Sequence, residues 1–102
     1  SVAAMLENVV YLELLRRGYE VCIGKTPNGE IDFIATRQND KLYIQITKEI
    51  KSEKTEKREY DRLLEINDNY PKYLLTTDDF AGGNYQGIKT MHIADFLLSK
   101  EY

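Results

Sequence analysis

With 102 residues, the chain is expected to form one domain, 1–102, built on a single modest core. Charged residues make up 30% and hydrophobic ones 42%, an ordinary globular balance, and the net charge of -3 gives no general attraction to nucleic acid, so any such contact must come from a local patch. The single cysteine excludes an internal disulfide, no apolar run reaches the ~18 residues that span a bilayer, and no signal-peptide pattern opens the chain, so a cytoplasmic protein is expected.

Residues 2–17 carry apolar side chains at Met5, Leu6, Val9, Val10, Leu12 and Leu14, which predicts a helix with a wide apolar surface. Arg16 and Arg17 suit the C-terminal end of its dipole, and Gly18 is the usual stop. A short strand is expected over 19–24, with Cys22 as a buried thiol, followed by a turn at Thr26-Pro27-Asn28-Gly29. Strands over 30–36 and 41–47 are joined by a hairpin at Gln38-Asn39-Asp40. A second helix is predicted over roughly 52–67, almost wholly charged at first and then amphipathic through Tyr60, Leu63, Leu64 and Asn67. Tyr70-Pro71 closes it, because the residue before proline avoids the helical region. A strand over 72–77, a loop at Gly82-Gly83-Asn84, a strand over 87–93 and a short helix over 94–99 complete the chain. The expected fold is α/β: a small mixed β-sheet flanked by helices, in αβββαβ order plus a C-terminal strand and helix.

Asp32 stands inside an otherwise apolar strand, Glu30-Ile31-Asp32-Phe33-Ile34-Ala35. Strict alternation puts Ile31, Phe33 and Ala35 on one side and Asp32 with Ile34 on the other. Apolar residues on both sides mark a covered strand, where a lone carboxylate is costly unless a cation or donors meet it. On the following strand Gln45 and Thr47 share a face, so three polar side chains can converge. Glu7, Tyr11 and Leu14 share a stripe of the first helix, which brings Glu7 under partial cover and towards Asp32. If the two carboxyls meet without a metal, one should hold its proton to higher pH than usual. The plainer alternative pairs Asp32 with a basic group or backbone donors and leaves Glu7 in solvent.

The second helix carries a different signal. Lys51, Lys54, Arg58 and Arg62 are spaced by three and four and line one face, although like charges so placed disfavour a helix by ~0.2–0.5 kcal/mol per pair. Such a stripe can lie along phosphates. Glu49, Glu53, Glu56 and Glu59 lie between these residues, so an ordinary solvated face of mixed charge stays open as well.

Glu7 in the first helix, Gly29-Glu30-Ile31-Asp32 opening one strand and Gln45-Ile46-Thr47 in the next together resemble the PD-(D/E)XK nuclease superfamily, which includes Holliday-junction resolvases and restriction endonucleases. A longer likeness covers nearly the whole chain. The run Glu7-Asn8-Val9-Val10-Tyr11-Leu12-Glu13-Leu14-Leu15-Arg16-Arg17-Gly18-Tyr19 resembles the C-terminal domain of bacterial and archaeal AAA-type ATPases, a nuclease-like domain of unknown function. Tyr43-Ile44-Gln45-Ile46, Thr55 with Arg58-Glu59, Asp68-Asn69-Tyr70-Pro71-Lys72, and Gly87-Ile88-Lys89 before Phe96-Leu97-Leu98 carry the same likeness. It implies a restriction-endonuclease-like fold at the C-terminus of a longer ATPase chain, and the direct run of Ser1-Val2-Ala3-Ala4 into a helix reads as a piece of such a chain.

In active members of the superfamily, the matched positions hold Mg²⁺ through hard oxygen ligands, and a lysine stabilises the charge that develops on the phosphodiester. The resemblance therefore implies Glu7, Asp32 and Gln45 as metal ligands, with Asp32, Gln45 and Thr47 at the catalytic positions. Two of these depart from the pattern. Gln45 offers an amide carbonyl in place of a carboxylate, and Thr47 offers no positive charge in place of the lysine. Lys48 points to the opposite face of its strand, and Lys51 lies beyond the strand's end.

Three readings follow. The first is a degenerate nuclease-like accessory domain whose partners are its own N-terminal ATPase domain and DNA. The second is an active Mg²⁺-dependent DNA endonuclease with a borrowed lysine. The third is a protein-interaction module with no nucleic-acid role. ATP is not expected in this segment, because Gly82-Gly83-Asn84 lacks the Lys-Ser/Thr of a P-loop, and no membrane partner is expected. One histidine, His92, and one cysteine make no transition-metal set.

Overall fold

A computed structural model describes residues 1–79 and 81–102. Helix α1 (Val2–Arg16) leads into strands β1 (Glu20–Thr26), β2 (Gly29–Arg37) and β3 (Asp40–Thr47), followed by helix α2 (Glu53–Leu64). Strand β4 (Lys72–Thr76), the short β5 (Asn84–Tyr85), β6 (Ile88–His92) and helix α3 (Ile93–Leu98) follow. The expected α/β fold with a mixed sheet and flanking helices is what forms. Six strands lie in the order β1-β2-β3-β4-β6-β5. β1, β2 and β3 pair antiparallel, β3, β4 and β6 pair parallel, and β5 returns antiparallel on β6. Helix α2 makes the crossover that two adjacent parallel strands require.

Each side of the sheet has its own core. Val10 and Leu14 of α1 and Ile93 and Phe96 of α3 pack with Ala35, Leu42, Ile44, Tyr73 and Leu75. Tyr60 and Leu63 of α2 pack on the other side with Ile31, Tyr43, Leu74 and Ile88. The broad apolar surface expected of α1 is therefore divided: Val10 and Leu14 are fully buried, whereas Met5 and Leu12 remain 60% and 55% exposed.

Local chemistry sets the helix ends. At the end of α1, Tyr19 N–H donates to Leu14 O (3.0 Å) and Gly18 N–H to Leu15 O (2.9 Å), the paired bonds of a Schellman stop. Gly18 sits at φ +90°, where a side chain is strained. Gly18→Ala is expected to lower stability by about 1–2 kcal/mol, read as a shift in the urea midpoint with unchanged slope. Helix α2 begins at Ser52, whose Oγ accepts from Thr55 N–H at 3.2 Å, with Glu53 and Glu56 in the first turn. It ends at Leu64 rather than near residue 67. Asp68 takes over the following backbone, accepting from Tyr70 N–H and from Lys72 Nζ, both at 3.0 Å, and this local bonding competes with a further helical turn.

Other expectations are corrected. Asn84, expected in a loop, begins β5, and the turn to β6 runs through Gln86 and Gly87, both at positive φ as a tight hairpin turn requires. Cys22 is exposed, not buried. It lies on the sheet's edge strand beside a register shift, where Ile23 is also turned out at 62% exposure. That shift also reorganises β2. Cys22 faces Ile34 but Gly24 faces Ile31, so a step of two residues on β1 spans three on β2. Ile31 and Ile34 both join the core under α2, while Phe33 and Ala35 join the core under α1. The strict alternation predicted for this strand breaks at Asp32 because a bulge accommodates one extra residue. Among the described residues, no helix is long and apolar enough to cross a membrane.

Candidate functional site

Asp32 occupies the break in β2. The β2–β3 ladder is regular from Arg37–Asp40 to Phe33–Ile44 and then gives way to side chains. Asp32 N–H donates to Gln45 Oε1 at 3.0 Å, and Ile46 N–H donates to Asp32 Oδ2 at 2.8 Å. Backbone groups at the end of a ladder need partners, and here the Asp32 carboxyl and the Gln45 amide supply them. Gln45 points towards α2, where its Nε2 donates to Glu59 Oε2 at 2.9 Å. Gln45 is 2% exposed and Glu59 8%. Both ends of the amide are therefore occupied within the protein: the carbonyl holds β2 and the NH₂ holds α2.

Acids from both helices act on Asp32. Glu7 of α1, half-buried, and Glu59 of α2 both add negative field at the Asp32 carboxyl. The Asp32 carboxyl is pushed up to about 6 from its ordinary 3.8, first by burial and then by Glu7 and Glu59. The Ile46 N–H bond opposes this, because it favours the charged form. The raised proton affinity expected for a Glu7–Asp32 encounter thus falls on Asp32. Tyr11 of α1 and Phe33 of β2, with ring centroids 5.9 Å apart, pack between the same two elements.

Two neighbouring carboxyls, one of them disfavoured as a lone anion, suit a hard cation. The third ligand implied by the family pattern does not follow, because Gln45 is spent on the β2 backbone and Glu59. Among the described residues, no three His, Cys, Asp or Glu side chains converge as a metal site would require. The described residues therefore do not form the three-ligand arrangement that the resemblance implies.

Thr47 lies at the end of β3 beside Thr76, half-buried, and brings no charge. The neighbouring Lys48 is exposed, and its carbonyl accepts from Thr76 Oγ1 at 3.1 Å and from Thr77 N–H at 3.1 Å. Of the four cations expected on one face of α2, Lys54, Arg58 and Arg62 line a common groove. Lys51 does not: it precedes the Ser52 cap, is exposed, and lies 4.0 Å from Glu49. Lys57 and Asn28 join the groove instead.

Glu59 was expected among the solvated acids of α2 and is the site residue that reading missed. Its place four residues before the buried Leu63 could have revealed it, since such positions share a helix face.

No family model matches the chain. It is similar to a curated protein of Haemophilus influenzae (strain ATCC 51907 / DSM 11121 / KW20 / Rd), which bears the description "uncharacterized protein", with 46% identity over 98 residues. The match takes in 96% of this chain but 24% of the relative, so the chain spans about a quarter of the length of the curated relative it matches.

Proposed function

We propose that this chain is a degenerate, nuclease-like accessory domain of an AAA-type ATPase, one that binds rather than cleaves. The observation that carries the reading is the Gln45 amide, bonded to the β2 backbone on one side and to Glu59 on the other. The position where the resemblance asks for a metal-binding acid thus holds a buried structural link between sheet and helix. The absence of an ammonium at Thr47 supports the same reading, since one positioned charge-stabilising group is typically worth ~10²–10⁴ in rate. The restriction-endonuclease-like description of the fold belongs to this proposal, supported by helix–three strands–helix–strand order and by parallel pairing across α2. A relative about four times as long as the matched segment is consistent with a role beside a larger domain, here an ATPase, in one polypeptide.

A second reading, an active Mg²⁺-dependent endonuclease, draws on one feature: the Glu7–Asp32 pair, whose mutual repulsion a divalent cation would relieve. The two are separated by incubating plasmid and branched DNA with the purified chain in Mg²⁺ or Mn²⁺. No cleavage above that of Asp32→Ala is expected. Metal-dependent cleavage that disappears in Asp32→Ala would overturn the proposal.

A further inference from the structure

The groove on the outer side of α2 is lined by Asn28, Lys54, Lys57, Arg58, Asp61 and Arg62 and encloses about 360 Å³. Four cations face one carboxylate there, in a chain whose net charge is -3. Lys57 Nζ lies 2.6 Å from Asp61 Oδ2, so the acid is already neutralised from within the groove. Among the described residues, Lys54, Arg58 and Arg62 form no ion pair. Arg62 lies partly under the turn that lines the groove, its Nε buried without a hydrogen-bond partner, as is Glu65 Oε2. The β1–β2 turn covers Arg62 at Gly29, where a Cβ would lie 3.2 Å from that nitrogen. Asn28 of the same turn is held by the Glu65 side chain.

We infer that this groove binds the phosphate backbone of duplex nucleic acid. Lys54, Arg58 and Arg62 recur every four residues, so the stripe extends over roughly 12 Å of helix at ~1.5 Å per residue. A nucleic-acid strand carries a phosphate every ~3.4 Å along the duplex axis, so three or four phosphates pass along that length. A single compact anion would leave most of the stripe unmatched. No aromatic ring lines the groove, which removes base stacking and leaves sequence-independent contact with the backbone. The guanidinium of Arg58 and that of Arg62 suit phosphate oxygens. The inference names the ligand for the binding role proposed above. Binding and cleavage are read separately, so either can fail alone.

The test is fluorescence anisotropy of the whole chain with a labelled 20-bp duplex between 50 and 200 mM salt. Neutralising three phosphates predicts a log–log salt slope near ~-3 and an affinity loss of about 40-fold over that range. The double variant Lys54→Ala/Arg58→Ala, both exposed residues, should reduce the slope by about two and weaken binding at every salt concentration. Lys100→Ala, beyond α3, should bind as the parent does, and circular dichroism should report all three chains folded. Polyglutamate of matched charge should bind more weakly than the duplex. Absent or salt-independent binding, an unchanged slope in the double variant, or equal affinity for polyglutamate would each overturn the inference, the last favouring an acidic protein partner.

Discussion

Gln45→Leu is expected to cost about 3–5 kcal/mol, a large share of the 5–15 kcal/mol that stabilises a typical domain. The substitution preserves bulk on β3 but orphans two groups at once. Asp32 N–H loses its acceptor where the ladder has already opened, and the buried Glu59 carboxyl loses its donor. Each buried polar group left without a partner costs ~1–3 kcal/mol, more where charge is involved. The melting temperature of a domain this size should therefore fall by about 15–30 °C. Adding Glu59→Leu removes one of the orphans, so the double variant should recover about 2 kcal/mol instead of summing the two losses. Urea denaturation of the four chains in the cycle reads this coupling. A single-variant loss below about 1 kcal/mol, or strict additivity, would show that Gln45 is not the link between sheet and helix.

How much of this was legible in the amino-acid sequence depends on the scale at which it is read. Long periodic segments located α1, the three consecutive strands, α2, β4, β6 and α3, with ends displaced by a few residues. The second helix was overextended because Asp68 bonds the backbone locally, a competition that apolar periodicity does not register. Strand β5 is two residues long and carries no pattern of its own; only the positive φ at Gln86 and Gly87 makes it a hairpin arm. Asp32 is legible as a carboxyl among apolar neighbours, and the field of Glu7 does reach it. The rest of the site was hidden by the assumption of strict alternation. One extra residue in β2 turns Ile31 and Phe33 to opposite cores and leaves Asp32 between the fields of two helices. Glu59 was obscured by the charged sequence around it, and on this mostly polar 12-residue helix only its four-residue spacing from Leu63 marks it as the acid that faces inward. The basic stripe was legible as three- and four-residue spacing. The exclusion of Lys51 and the arrival of Asn28 depend on where α2 begins and on how the β1–β2 turn folds over it.

Asp32→Asn should stabilise the protein at neutral pH, by about 2 kcal/mol. A carboxyl held at about 6 against an ordinary 3.8 binds its proton more tightly in the folded state than in the unfolded one. Its favourable contribution is complete below about pH 4, is lost as pH rises through 6, and leaves a constant penalty above that. Two pH units correspond to about 3 kcal/mol, reduced here because Asp32 is only partly buried. Asparagine keeps a carbonyl oxygen for Ile46 N–H and turns an NH₂ towards Glu7, so the ladder-end bond survives while the repulsion disappears. Glu13 works in the opposite sense. Arg16 and Arg17 hold its carboxyl down at about 2, so its contribution is present above the ordinary 4.5 and is lost as the solution is acidified. The stability curves of parent and variant therefore share their acid limb, and their difference isolates Asp32. Thermal melts from pH 3 to pH 8 should give curves that coincide near pH 3–4 and separate progressively between pH 4 and 6. They should then run parallel above pH 6, with the variant higher. A variant less stable than the parent at pH 7 would mean that the Asp32 carboxylate is compensated in the folded protein by a cation that the geometry of Glu7, Gln45 and Glu59 does not supply.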